Sequence, residues 1–456
     1  MNWSLGAFGD MRLDNGGAGI LERMVSLKTV CVRRLGGDRS GELRMGRFLA
    51  NPKVTVGKII NGWSAFTGPG AAGRHVLAIQ DTCEVKFPTT AQRRRGLGPV
   101  KSGNTYGVLI HSMIAVDAAN GACLGLVGGD IWTRPGVITT PHRERPLSQR
   151  ESRRWLDTAE QAKVVLAAAS MITVISDREG DIYPSWATVP TEHCHKLVRA
   201  MVDRRLAGGG TLFGAAAQFN PAGQREIEIQ AHMAGQTKRV ATVGLRFGEV
   251  TVLRPRDERD RELPKTVTLQ LIDVEETAPP EGREPLHWRL LTTHAVADAA
   301  TAWECVDWYR MRWIIEQMHR VMKSQGLQLE DSQVASADRL AKLAAMATKA
   351  ACIDIQLVQA RDGAGQEPAS TVFTQAEVET LEALVPTLEG KTERQKNPHP
   401  NGGLAWAGWC IARLGGWNCY YKPPGPITYR RGMEQFRAIH RGRLLNPLLK
   451  QDVRIL

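Results

Sequence analysis

The chain has 456 residues, 43% hydrophobic and 23% charged, the composition of an ordinary core-forming protein and not of a disordered or collagenous one. Lysines and arginines number 59 against 47 aspartates and glutamates; the net charge of +12 favours a polyanionic partner, nucleic acid before anionic membrane. No run approaches about 18 apolar residues, so no membrane span is expected, and residues 1–24 lack the apolar stretch of a secretory signal.

Residues 20–32 and 41–49 read as short helices, and Asn51-Pro52 ends the second, because a residue before proline is pushed out of the α region. Lys28, Arg33, Arg34, Arg39, Arg44, Arg47, Lys53 and Lys58 make this part basic. A small DNA-binding unit and a plain helical cap fit it equally well. After Gly68-Pro69-Gly70, residues 75–80 form an apolar run of strand length that stops at Asp81. Residues 107–116 and 122–127 follow as two strands around a turn at 117–121. Residues 143–163 are polar and then helical, and lead into a strand at 171–175 that again ends at an acid, Asp177. Three strands, a helical crossover and a fourth strand make an α/β core.

Residues 197–296 alternate or run β-branched at 225–230, 238–247, 250–253 and 266–274, which predicts an all-β block. Helical periodicity returns at Asp298, an expected N-cap, and continues through Lys323. A second helix covers 337–358, a linker 361–368, and a mostly helical, basic, Trp-containing region 371–456. The eight cysteines carry no CxxC pair, the usage of reduced thiols in a cytoplasm. The triplet His193-Cys194-His195 has no second ligand pair and is a weak metal signal.

Asp81 and Asp177 both end predicted strands, where ligands and catalytic groups of open sheets gather, although strand-end aspartates also cap helices and form turns. Tyr309, Arg312, Glu316 and Lys323 are spaced by three, four and seven residues, which at about 100° per residue places them along one helical stripe. Two strand-end aspartates and a helix glutamate are what two magnesium ions need for in-line phosphodiester displacement; Mn²⁺ suits the same oxygen ligands. Arg312 and Lys323 could then hold neighbouring phosphates, and Tyr309 a phosphate or a base. The plainer alternative is a solvated helix with an Arg312–Glu316 ion pair of about 0.3–0.5 kcal/mol.

The string from Tyr309 to Glu316, followed by Lys323, resembles the Y–R–E–K signature of bacterial cut-and-paste DDE transposases, the Tn-five-like, IS-four group of insertion sequences. Ile79-Gln80-Asp81-Thr82 is similar to that family's first-aspartate strand, and Asp177-Arg178-Glu179-Gly180-Asp181-Ile182 to its second-aspartate motif. Trp132-Thr133-Arg134-Pro135 and the segment from Glu151 to Trp155 resemble its spacers. Phe48-Leu49-Ala50-Asn51-Pro52 and the run from Ile411 to Gly416 resemble its terminal regions.

The resemblance implies an RNase H-like (retroviral-integrase-like) α/β catalytic core at 67–370, with a β insertion at about 197–296. A helical DNA-binding domain at 1–66 and a helical dimerisation domain at 371–456 would flank it. It implies Asp81, Asp177 and Glu316 as catalytic, metal-binding residues. Their partners would be double-stranded DNA at transposon ends and target, a homodimer in the synaptic complex, and a place in the bacterial cytoplasm at the nucleoid. In that family water nicks one strand, the freed 3′-OH attacks the other to form a hairpin, and the hairpin is reopened before insertion. A base leaves the stack on the way. Trp288 resembles the tryptophan that receives it, worth about 1–3 kcal/mol of stacking, though a core strand tryptophan fits equally. Arg199, in Leu197-Val198-Arg199-Ala200, resembles a phosphate-contacting arginine.

The chain departs from the family after Phe8-Gly9-Asp10-Met11-Arg12-Leu13. Gly16, Gly17 and Gly19 follow, each costing a helix roughly 1 kcal/mol, so an altered or locally disordered end-recognition region is expected. This keeps a rival open, a DNA-binding inhibitor or regulator of transposition with weakened catalysis. A metal-dependent nuclease without mobility is a third reading. A glycosidase leaves Arg312 and Lys323 without a role.

Overall fold

A mixed sheet runs through the middle of the molecule, and helices from both ends of the chain pack on one flank of it. The computed structural model describes residues 4–87, 96–100, 105–134, 145–229, 239–282, 284–360, 367–420, 424 and 426–452. Most of the expected linker at 361–368, Pro135 and the edges of the strands expected at 225–230 and 238–247 therefore lie outside the described residues.

The strands are β1 (His75–Phe87), β2 (Gly98–Pro99), β3 (Tyr106–Asp117), β4 (Cys123–Trp132), β5 (Met171–Ser176), β6 (Cys194–Arg199), β7 (Pro221–Ile229), β8 (Arg239–Leu253), β9 (Thr266–Glu276) and β10 (His287–Thr292). They pair in the order β2-β3-β1-β5-β6-β10-β9-β8-β7, with β4 also on β3. β1, β5 and β6 are mutually parallel, and the other pairs are antiparallel. Parallel neighbours need a crossover. Between β4 and β5 the chain forms α6 (Arg153–Val165), and between β5 and β6 it forms α7 (Tyr183–Thr188). β5 is buried at every position but its first, which is why it reads as a continuous apolar run. β8 alternates buried and half-exposed residues because one of its faces is wet.

Two sequence expectations change here. β1 does not stop at Asp81: it pairs with β3 as far as Phe87↔Tyr106, whereas its pairing with β5 ends at Ile79↔Ile175. Asp81 therefore sits where β5 leaves the strand, not where the strand ends. The block at 197–296 is neither separate nor all-β. β10 pairs with β6, so β7 to β10 extend the core sheet, and the helix α8 (Leu212–Gln218) lies between β6 and β7.

At the N-terminus, α1 (Met11–Leu27) forms in spite of its three glycines. Asp10 caps it by accepting from Arg12 N, and Gly17 lets it approach Phe8 and Phe48, whose rings lie 3.2 Å from where a Cβ would stand. Packing supplies what propensity lacks. α2 (Val32–Gly36), α3 (Arg39–Ala50), α4 (Val56–Asn61) and α5 (Thr67–Gly70) follow. Beyond the sheet come α9 (Ala299–Arg310), α10 (Trp313–Arg320), α11 (Ala337–Ala360), α12 (Gln375–Leu388), α13 (Leu404–Leu414) and α14 (Pro426–Asp452).

α11 is buried along most of its length, and its lysines end on carbonyls of the N-terminal helices. Lys349 Nζ lies 2.7 Å from the Ser4 carbonyl oxygen and 2.6 Å from that of Gly62, and Lys342 Nζ lies 3.1 Å from that of Leu49. Lys28, at the end of α1, forms an ion pair with the buried Asp354 of α11. α14 packs on α1 and α13, and its Arg437 pairs with Glu377 of α12. Among the described residues no helix is long and apolar enough to cross a membrane.

α2 and α3 meet backbone to backbone. A Cβ on Gly41 would stand 2.0 Å from the Gly36 carbonyl oxygen. Gly41→Ala is expected to cost about 1–3 kcal/mol, read as a lower urea midpoint with unchanged slope. An unchanged midpoint would contradict the close approach.

Candidate active site

The site grows from the parallel pair at the sheet's centre. β1 and β5 are in register at Ile79↔Ile175, so two residues further along each chain Asp81 and Asp177 come level where the strands diverge. Asp177 opens a short turn and its carboxylate accepts from Glu179 N at 2.9 Å; the Asp81 carboxylate accepts from Thr82 N at 2.8 Å. Glu316 arrives from the other end of the sequence in the first turn of α10, which packs on β1. One turn later the buried His319 places Nε2 3.0 Å from Ser112 Oγ and Nδ1 3.8 Å from Asp81 Oδ2. Ser112 is the cross-strand partner of Asp81.

Electrostatics reports the same convergence. Burial pushes the Asp81 carboxyl up to about 8; the negative charges of Asp177 and Glu316 push the same way, and Arg312 opposes them. The Arg312 side chain is 16% exposed, pairs with Glu316 and lies 4.0 Å from Asp81 Oδ2. Burial alone would lower its pKa, but Tyr309, Glu316 and Asp81 together hold the guanidinium above its ordinary value. The buried Tyr309 sits 5.9 Å below it, and burial raises its hydroxyl. Trp288, half-buried on β10, meets Tyr309 edge to face at 5.6 Å. Arg199, at the end of β6, donates to the His287 carbonyl at 2.8 Å and is electrostatically coupled to Tyr309, Arg312 and Asp177; burial lowers its pKa.

Seven of the eight expected site residues thus form one group. Trp288, Tyr309, Arg312 and Arg199 line a cavity of about 1340 Å³, and a second of about 780 Å³ shares Arg199 and reaches Asp177. Lys323 stands apart. Its Nζ is 4.0 Å from Glu330 Oε1, and it faces Cys83, further along β1 than Asp81.

The helix expected from Asp298 through Lys323 is broken, so the four residues do not share one stripe. α9 ends at Arg310, and tight bonds (Arg312 N to Tyr309 O at 3.0 Å, Ile314 N to Met311 O at 3.0 Å) turn the chain into α10. A wide π turn at Val321–Gln325 then rotates Lys323 away. Asp298 does cap the first piece, accepting from Thr301 N at 2.8 Å.

The donor set suits a hard divalent cation, since all three acids offer oxygen, and burial that drives Asp81 toward its protonated form leaves a charge there for a cation to stabilise. As they stand the three carboxylates are not drawn within 4.8 Å of one another; among the described residues the group that meets that spacing is Asp273, Glu275 and His287. There Arg289 Nε and Arg246 Nη1 lie 3.5 and 3.9 Å from Asp273. At the candidate site Arg312 supplies the counter-charge. Among the described residues His193-Cys194-His195 belongs to no cluster of three close ligands: His195 stacks on His294 at 4.1 Å and Cys194 is buried in the core.

Sequence reasoning missed His319 and Ser112, and gave Asp181 no role. The buried Asp181 accepts from Trp186 Nε1 (3.0 Å) and Met201 N (2.9 Å) and pairs with Arg204 (2.6 Å), tying the turn after Asp177 to the segment after Arg199. A buried acid four residues from a candidate ligand was the available signal.

No protein-family model matches the chain. Among solved structures it is similar to a piggyBac transposase in a synaptic complex with hairpin DNA, determined by cryo-electron microscopy. The two are 12% identical with a TM-score of 0.40, over 96% of this chain and 73% of that one. A likeness so loose assigns neither fold nor activity.

Because the Asp81 carboxyl titrates higher in the folded chain than its ordinary 3.8, the native state holds more protons than the unfolded state between about pH 4 and pH 8. Its contribution to stability is therefore greatest in acid and is lost as pH rises through that window. Asp81→Asn should melt above the native chain at pH 8 without divalent cation, and the gap should close toward pH 4. Identical melting profiles from pH 4 to 9 would contradict this.

Proposed function

We propose that the chain is a DNA transposase using an RNase H-like core, with Asp81, Asp177 and Glu316 holding two Mg²⁺ ions. The observation that carries the reading is the electrostatic coupling of Asp81 to Asp177, level with it on the adjacent strand, and to Glu316 from a distant helix, with the buried Arg312 paired to Glu316 and 4.0 Å from Asp81. The order of β1, β3 and β4 antiparallel, then a helical crossover to parallel β5, supports the core. The helical segments at 1–66 and 371–456 would read DNA ends and pair two subunits.

Bound to these carboxylates, two divalent ions would activate the attacking oxygen and stabilise the leaving one in nicking, hairpin formation, hairpin opening and strand transfer. The protein's own groups do the rest. Arg312 exchanges the Glu316 carboxylate for a phosphate of the scissile strand, which frees Glu316 as a ligand. Arg199 and Lys323 hold flanking phosphates on either side of Asp81 and Asp177. The Tyr309 hydroxyl orients one of them, and the Trp288 face, open to the larger cavity, takes a base drawn from the stack.

α1 is formed and capped, so the three glycines do not leave this region without helix. Purified protein with DNA carrying the inverted repeats of its own element and Mg²⁺ should produce nicks and hairpins. Glu316→Ala should abolish both while leaving DNA affinity within about twofold, and Trp288→Ala should lower hairpin yield about tenfold, the scale of one lost stack. Binding without cleavage by the native chain would instead mark a DNA-binding regulator. Cleavage that survives Glu316→Ala would refute the site.

A further inference from the structure

His319 has no part in the chemistry just described, yet it is buried among the groups that do. Its ring lies on the turn of α10 that follows Glu316, bonds the fully buried Ser112 hydroxyl at 3.0 Å, and stands 3.8 Å from Asp81 Oδ2. Ser112 and Asp81 are opposite each other on β3 and β1. The single imidazole therefore spans the strand that carries the first acid and the helix that carries the third. Ile110 and Ile114 flank Ser112 on β3, and Ile315 and Met322, on the helix side, are buried in the same core. A polar pair in such a place costs desolvation unless its members bond each other, and an apolar pair would pack α10 on the sheet without that cost. What the polar pair adds is direction: a hydrogen bond fixes the rotation and height of α10 on β3, beside Asp81 of β1, and so where the Glu316 carboxylate points, which greasy contact leaves loose.

We infer that His319 is a positioning residue, which through its hydrogen bond to Ser112 sets Glu316 against Asp81 for cation binding. The inference rests on the reading of Asp81, Asp177 and Glu316 as metal ligands. Outer contacts of this kind hold ligands in place, and their loss costs about 10–100-fold in metal affinity or activity.

The test uses the full chain, with Mn²⁺ titrated and followed by electron paramagnetic resonance, alongside DNA affinity, cleavage rate and melting temperature. His319→Leu and Ser112→Ala are each expected to weaken Mn²⁺ binding and slow cleavage by about tenfold or more, with DNA affinity within about twofold of native. The double variant should be no worse than either single one, because both remove the same bond. His319→Gln, whose amide reaches Ser112 from the same helical position, should recover most of the Mn²⁺ affinity. Additive losses, or a Ser112→Ala protein that binds Mn²⁺ and cleaves like the native chain, would overturn the inference while leaving the three acids as ligands. Should His319→Leu fail to fold, Ser112→Ala and His319→Gln carry the same test. A native chain that binds no Mn²⁺ would overturn the metal reading and this inference together.

Discussion

A buried cation, Arg312, pairs with one of three crowded acids and approaches a second. Asp81 and Asp177 come level on neighbouring strands, Glu316 is brought over them by a helix, and mutual repulsion with burial drives the Asp81 carboxyl toward its protonated form. Arg312 answers this by pairing with Glu316 and approaching Asp81, and Tyr309 covers it from the far side. The break between α9 and α10 falls within this group, between Tyr309 and Glu316.

The strands between 197 and 296 belong to the same device. Because β10 pairs with β6, Arg199 and Trp288 stand on adjoining strands of the sheet that carries the two aspartates. The far edge then curls back to the helix: Arg225 of β7 makes a two-pronged ion pair with Asp307 of α9, at 2.5 and 2.9 Å, and lies over Trp303. Asp307 also holds Arg310 at 3.2 Å. The inserted strands build one wall of the larger cavity and brace the helix that forms the other.

Much of this was legible in the order of residues. The apolar runs of β1, β3 and β5 and the Asp298 cap each carry a local signal, so the core strands are read in the right order, and seven of the eight expected site residues lie near one another. The failures share a physical cause, since each depends on partners far away in the chain. β1 runs past Asp81 because β3 is there to pair with it, and α1 survives three glycines because Phe8 and Phe48 pack where side chains would have been. Lys323 drifts from the stripe because a π turn adds a residue to the helix, and periodicity has no means of anticipating one. His319 was invisible for a related reason: a histidine one turn past a glutamate gains meaning only once Ser112 is found opposite Asp81.

Crystals of the protein with the proposed DNA substrate and Mn²⁺, measured at the manganese absorption edge, would address the heart of the matter. Anomalous peaks should fall among the carboxylate oxygens of Asp81, Asp177 and Glu316, with the Arg312 guanidinium moved off Glu316 and onto a phosphate. Manganese bound elsewhere, with Arg312 still clasping Glu316 beside bound DNA, would contradict the account at its root.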